Sequence, residues 1–116
     1  MNRWINLALK ISKNGRHGCH TYLMGCVIVS NGRVLSTAAN YSRGTSIIDL
    51  NGHAEVRAIR KCNYCMGATL VIARINNRMS RPCKNCLKKI IEAGISRIVY
   101  QDWLGHTVVE RISYVS

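Results

Sequence analysis

The chain has 116 residues, 47% of them hydrophobic, and sets 17 Lys and Arg against 5 Asp and Glu, a formal net charge of +12. That length and apolar fraction suit one domain with one core, so residues 1–116 are read as a single domain. The longest apolar runs, near Tyr22–Val29 and Met66–Ala73, fall well below the about 20 residues that cross a bilayer. Met1-Asn2-Arg3-Trp4 opens no signal-type apolar stretch. A soluble, intracellular (cytoplasmic) protein without a membrane partner is therefore expected. Its positive charge is spread along the chain, which favours polyanionic partners such as nucleic acid or phosphate-bearing ligands.

The elements follow in chain order. Residues 3–13 carry Trp4, Ile5, Ala8, Leu9 and Ile11 at helical spacing, and Asn14-Gly15 ends that helix. A Gly- and His-rich loop runs to Tyr22. Gly25–Val29 is a short apolar strand, Ser30-Asn31-Gly32 a turn, and Arg33–Ala39 the second strand of a hairpin. Ser42–Gly52 is polar and Gly-punctuated, a long loop of the kind that carries function. A helix over His53–Cys62 leads to Ala68–Ile75, a continuous apolar strand of the buried type. After the Asn76–Pro82 loop come a helix over Cys83–Ala93, closed by Gly94, and a second buried strand, Ile95–Tyr100. Thr107–Ile112 is a further candidate strand. Strands joined through helices predict a layered α/β sandwich whose later strands are parallel.

Six cysteines stand at Cys19, Cys26, Cys62, Cys65, Cys83 and Cys86. Without a secretion signal, metal binding is a better default for them than disulfides. One arrangement is sharper than the rest. His53-Ala54-Glu55 is followed, with 27 residues between Glu55 and Cys83, by Pro82-Cys83-Lys84-Asn85-Cys86. One imidazole and two thiolates make the three-ligand pattern of a catalytic zinc, with a fourth position left for water. Cys83 and Cys86 share one helix face at i and i+3. Pro82 suits the start of that helix, and a helix N-terminus favours the thiolate form. His53 starts the other helix, so the two N-termini can meet on one ion. Glu55, one of five acids in the chain, is the candidate general acid/base.

The pair His53-Ala54-Glu55 and Pro82-Cys83-x-x-Cys86 resembles the zinc signature of the cytidine and deoxycytidylate deaminase superfamily, in which such a motif marks zinc deaminases of nucleobases. The likeness extends to Gly25–Val29, Gly67–Val71 and Ala93–Tyr100, and so covers roughly residues 3–101. It implies a cytidine deaminase-like three-layer α/β sandwich, with a central mixed sheet of about five strands flanked by helices. It implies that His53, Cys83 and Cys86 bind Zn2+ and that Glu55 moves protons. It also implies that the Ala54 N–H meets the base carbonyl, that Asn40 lies at a sugar-contacting position, and that Ser80 lies where a loop closes over the base. Self-association through sheet and helix surfaces goes with the same resemblance.

The expected reaction is zinc-dependent hydrolytic deamination of cytosine to uracil, in single-stranded DNA or RNA or in a deoxycytidylate-type nucleotide. Arg57, Arg60 and Lys61 on one helix, Lys84, Lys88 and Lys89 on the other, and Arg74, Arg78 and Arg81 around the intervening loop suit a phosphate-bearing substrate. Trp103, beyond the last buried strand, is a candidate to stack on a base, with packing as the alternative. Two other readings stand beside this one. An enzyme resembling tRNA adenosine deaminases would use the same zinc machinery. A non-catalytic four-cysteine zinc module binding nucleic acid would pair Cys62-x-x-Cys65 with Cys83-x-x-Cys86, 17 residues apart. A second, structural metal on Cys62 and Cys65 with His17, Cys19 or His20 is a separate expectation.

Overall fold

The computed structural model describes residues 2–18, 22–41 and 52–112. Helix α1 (Asn2–Ser12) buries Ile5, Ala8 and Ser12. A hairpin follows: β1 (Met24–Ser30) and β2 (Arg33–Ala39). They are joined by Asn31 at φ 52° and Gly32 at φ 75°, the left-handed pair that matches the twist of a two-residue turn. Helix α2 (Ala54–Lys61), strand β3 (Thr69–Arg74), helix α3 (Lys84–Glu92), strand β4 (Arg97–Gln101) and strand β5 (Thr107–Arg111) complete the order.

The five strands form one mixed sheet in the order β2-β1-β3-β4-β5. Only β3 and β4 are parallel, because α3 provides the crossover between them; the other pairings are antiparallel. The expectation that later strands run parallel thus holds for β3 and β4. It does not extend to β5, which returns through a tight hairpin after Gln101.

Alternation along the strands divides the core into two layers. Cys26, Ile28, Leu70, Ile72, Ile98 and Tyr100 face α2 and α3, packing with Ala54, Ala58 and Ile90. Val27, Val29, Val71, Ala73 and Val99 face α1, packing with Ile5 and Ala8. This is the three-layer sandwich. β1 and β3 are buried along almost their whole length, as befits strands covered on both faces. α1 crosses β1 so closely that a Cβ on Gly25 would lie 2.0 Å from the Ala8 carbonyl oxygen.

The pairing puts the start of β1 beside the ends of β2 and β3, with Gly25 opposite Ala39 and Met24 opposite Arg74. β4 ends at the same edge, being parallel to β3. Both helices that face Cys26 and Leu70 begin there too. α2 follows Gly52, whose carbonyl accepts the Tyr41 N–H at 2.7 Å, and α3 follows the loop that leaves β3.

Candidate active site and metal centre

His53 is the N-cap of α2 and Cys83 the N-cap of α3, both with extended backbone and neither making a side-chain cap. Cys83 was expected inside its helix; it stands one position outside, which leaves its thiol free to turn away from the helix axis. Cys86 lies one turn on and is fully buried. The His53 Nδ1 is 3.0 Å from the Cys86 Sγ and 3.9 Å from the Cys83 Sγ. All three ligand atoms fall within 4.8 Å of one another. A tetrahedral zinc with ordinary bond lengths needs N···S and S···S separations of about 3.6 and 3.8 Å. The donor set and its spacing therefore fit Zn2+. Among the described residues this is the sole group of three or more His, Cys, Asp or Glu side chains able to hold an ion.

Glu55, in the first turn of α2, is 3% exposed and is not part of that ligand group. Burial raises its pKa, while its own backbone N–H and the neighbouring His53 and Cys86 oppose the rise. Burial also drives the Cys86 thiol far up, and the nearby Glu55 adds to this. Burial and the neighbouring carboxyl hold Cys86 in its thiol form, and a divalent cation would reverse that preference. The arrangement is that of a cation site with a non-ligating acid beside it.

A sequence profile of the cytidine and deoxycytidylate deaminase zinc-binding region matches residues 1–102. The chain belongs to that family. A solved structure of cytidine deaminase from Burkholderia pseudomallei superposes on this family member with a TM-score of 0.74, over 95% of this chain and 91% of that one, at 19% identity. A dCMP deaminase from the cyanophage S-TIM5 gives a TM-score of 0.66 over 87% and 81%, at 22% identity. At such identities the likeness is one of fold. A curated relative, tRNA(Ile)-lysidine synthase from Deinococcus deserti, is 34% identical over 84 residues; the match takes in 66% of this chain and only 14% of that protein.

The deaminase family's other matching positions have their own surroundings here. Ala54 is the first residue of α2 and almost fully buried; its N–H belongs to the first turn, where backbone donors lack intrahelical partners. The Asn40 carboxamide accepts from the Met24 N–H at 2.9 Å and donates to the Tyr22 carbonyl at 2.7 Å, so it fastens the two ends of the β1–β2 hairpin. Ser80 is 1% exposed. Its hydroxyl donates to the Ile72 carbonyl and accepts from the Gln101 N–H, each at 2.9 Å. Trp103 is 83% exposed, at the tip of the turn between β4 and β5.

The second cysteine pair is separate from the ligand group. Cys65 is buried against the α2–α3 side of the core, and Cys62 packs there half-buried. Burial, with Cys62 beside it, pushes the Cys65 thiol up to about 11. Cys19 and His20 lie outside the described residues. The four-cysteine arrangement is not what forms: Cys83 and Cys86 group with His53, not with Cys62 and Cys65.

Several of the basic side chains have partners within the chain. Arg57 donates to the Ala39 carbonyl at 3.0 Å and lies over the Tyr41 ring. Lys61 reaches the Thr37 carbonyl at 2.7 Å, and Arg81 forms an ion pair with Glu110. Arg60, Arg78, Lys84 and Lys88 are exposed. Sequence reading gave no hint of the Arg57–Tyr41 and Arg81–Glu110 contacts, which join residues distant in the chain. It also missed Gln101, which sits 5% exposed at the end of β4. Among the described residues no helix is long and apolar enough to cross a membrane.

Proposed function

We propose that the domain catalyses hydrolytic deamination of cytosine to uracil in a phosphate-bearing substrate, a single-stranded nucleic acid or a deoxycytidylate nucleotide. The observation that supports this reading is a buried, non-ligating Glu55 beside His53, Cys83 and Cys86, at the meeting point of two helix N-termini. Zinc, when held by those three side chains, makes water acidic enough to act as a nucleophile near neutral pH.

The chain's own residues do the rest. Glu55 accepts a proton from the attacking water and returns it to ring N3 as the C4–O bond forms. It then takes the proton of the new C4 hydroxyl and passes it to the amine, so that the C4–N bond breaks, the C4 carbonyl forms and ammonia leaves. Water and cytosine become uracil and ammonia, and Glu55 ends as it began. Burial keeps bulk water from competing for that proton. In this reading the Ala54 N–H, at the positive end of the α2 dipole, donates to the O2 carbonyl of the base. The net charge of +12 and the exposed Lys84 and Lys88 beside the α3 N-terminus favour a substrate carrying phosphate.

The test is uracil and ammonia release together with zinc content. Wild type and Glu55→Gln are given dCMP, cytidine, and cytosine-containing single-stranded DNA and RNA. Wild type should convert a phosphate-bearing substrate, and Glu55→Gln should lose about 10²–10⁴-fold in rate while keeping its zinc. Turnover surviving in Glu55→Gln would remove Glu55 from its role. Turnover of cytidine in preference to every phosphate-bearing substrate would overturn the substrate class.

A further inference from the structure

We infer that Gln101 is a positioning residue for the zinc ligand Cys83, acting through Asn77. The inference rests on reading His53, Cys83 and Cys86 as the ligand set.

The two cysteines are held by different means. Cys86 is fully buried within α3, so the core fixes it. Cys83 is exposed and precedes the helix, so its place depends on the segment that leads from β3. That segment reverses sharply. Asn76 and Asn77 both adopt left-handed backbone, at φ 62° and 54°. The chain then runs back beside β3, with Arg78 bridged to Arg74 and the Ser80 hydroxyl on the Ile72 carbonyl, before Pro82 hands over to Cys83. Two successive left-handed residues are costly unless neighbouring groups hold them.

Gln101 supplies the hold. Its backbone brackets Ser80, donating to Oγ at 2.9 Å and accepting from the Ser80 N–H at 3.0 Å. Its carboxamide donates to Asn77 Oδ1 at 3.0 Å and to the Gly105 carbonyl at 3.4 Å. One side chain thus ties the reversal to the β4–β5 turn. The carbonyl of Gly105 can only accept, so the NH₂ group must face this way. The consequence is visible at the other end of the amide: Gln101 Oε1 is buried with no hydrogen-bond partner among the described residues. An orphaned buried acceptor is unfavourable. Its retention here follows from both N–H donors being in use.

The test reads the metal site directly. Zinc affinity, by competition with a chelating dye, and the cobalt(II)-substituted absorption spectrum are measured for wild type, Asn77→Ala, Asn77→Asp, Gln101→Ala and the double variant Asn77→Ala/Gln101→Ala. Asn77→Ala and Gln101→Ala should each weaken metal binding about 10-fold and alter the thiolate-to-cobalt band, as loss of a supporting contact does. Asn77→Asp keeps the acceptor and tolerates the left-handed backbone, so it should stay within about 2-fold of wild type. The double variant should be no worse than the singles. Ser96→Ala removes hydrogen bonds to the Gly67 and Ala68 carbonyls at the opposite edge of the sheet and should leave metal affinity unchanged.

Wild-type zinc binding with both alanine variants unaffected would overturn the inference and leave the zinc site intact. An equal loss in Ser96→Ala would also overturn it, as general destabilisation. A wild type that binds no zinc would sink the ligand set itself, and this inference with it. Should Gln101→Ala fail to fold, Asn77→Ala against Asn77→Asp decides the question.

Discussion

Cys86, Glu55 and Ser80 are each nearly inaccessible, and each is a polar or ionisable group placed where the core would otherwise be apolar. In the function proposed above, the burial of Cys86 and Glu55 would strengthen ligand bonds and keep proton transfer within the site. For Ser80 the burial is architectural, because both hydrogen-bonding capacities of the hydroxyl go to backbone groups of β3 and β4. Ser80→Ala should therefore lower stability by about 1–3 kcal/mol, through a buried Ile72 carbonyl and Gln101 N–H left unpaired. Chemical denaturation of the zinc-loaded protein checks this. An unchanged midpoint would show that water replaces the hydroxyl. The grouping of His53, Cys83 and Cys86 was legible in the sequence because their residue types and spacing match a zinc pattern. The engagement of Asn40 and Ser80 was not, since their partners lie 8 to 21 residues away in the chain.

At the scale of elements, the close crossing of α1 over β1 and the docking of β5 are the features most open to test. Gly25→Ala would drive a methyl group into the Ala8 carbonyl, with the Ser12 N–H also within 2.6 Å. Separating the layers should cost about 1–3 kcal/mol. A melting temperature equal to wild type would show that α1 shifts freely. On the other side, Arg81 bonds Glu110 of β5 at 3.0 Å and holds its carboxyl below the usual range. A lowered folded pKa means stability that is present above the unfolded value and lost as pH falls through the folded one. The two side chains are 41% and 36% exposed, so solvent screening limits the pair. Glu110→Gln should cost under about 1 kcal/mol at pH 7 and nothing once the carboxyl of the wild type is protonated. Parallel pH titrations of stability, with no convergence at low pH, would rule this pair out as the cause. Most elements were readable from periodicity and turn residues. The antiparallel return of β5 was not, because strand direction is decided by the turn at 102–106 and by packing on Tyr100 rather than by strand composition.

For the whole molecule the charge is the dominant fact. Arg57 and Lys61 donate to backbone carbonyls and Arg81 pairs with Glu110, while Arg60, Arg78, Lys84 and Lys88 are exposed. If a single-stranded polymer is the substrate, its binding should weaken steeply with salt, with a log–log slope of about −0.7 for each phosphate contacted. Fluorescence anisotropy with a labelled oligonucleotide between low and physiological salt measures this. Binding insensitive to salt would point the charge elsewhere and favour a small nucleotide.

The sequence by itself determined the family, the ligand types and the sandwich of helices on strands, because spacing and hydrophobic period are local properties written residue by residue. Only the tertiary structure decided that Cys62 and Cys65 stay out of the His53 group, which cations have partners within the chain, and that Gln101 faces the reversal at Asn76 and Asn77. Those outcomes depend on which distant backbone groups are brought within about 3 Å, the reach of a hydrogen bond, and no local pattern records that.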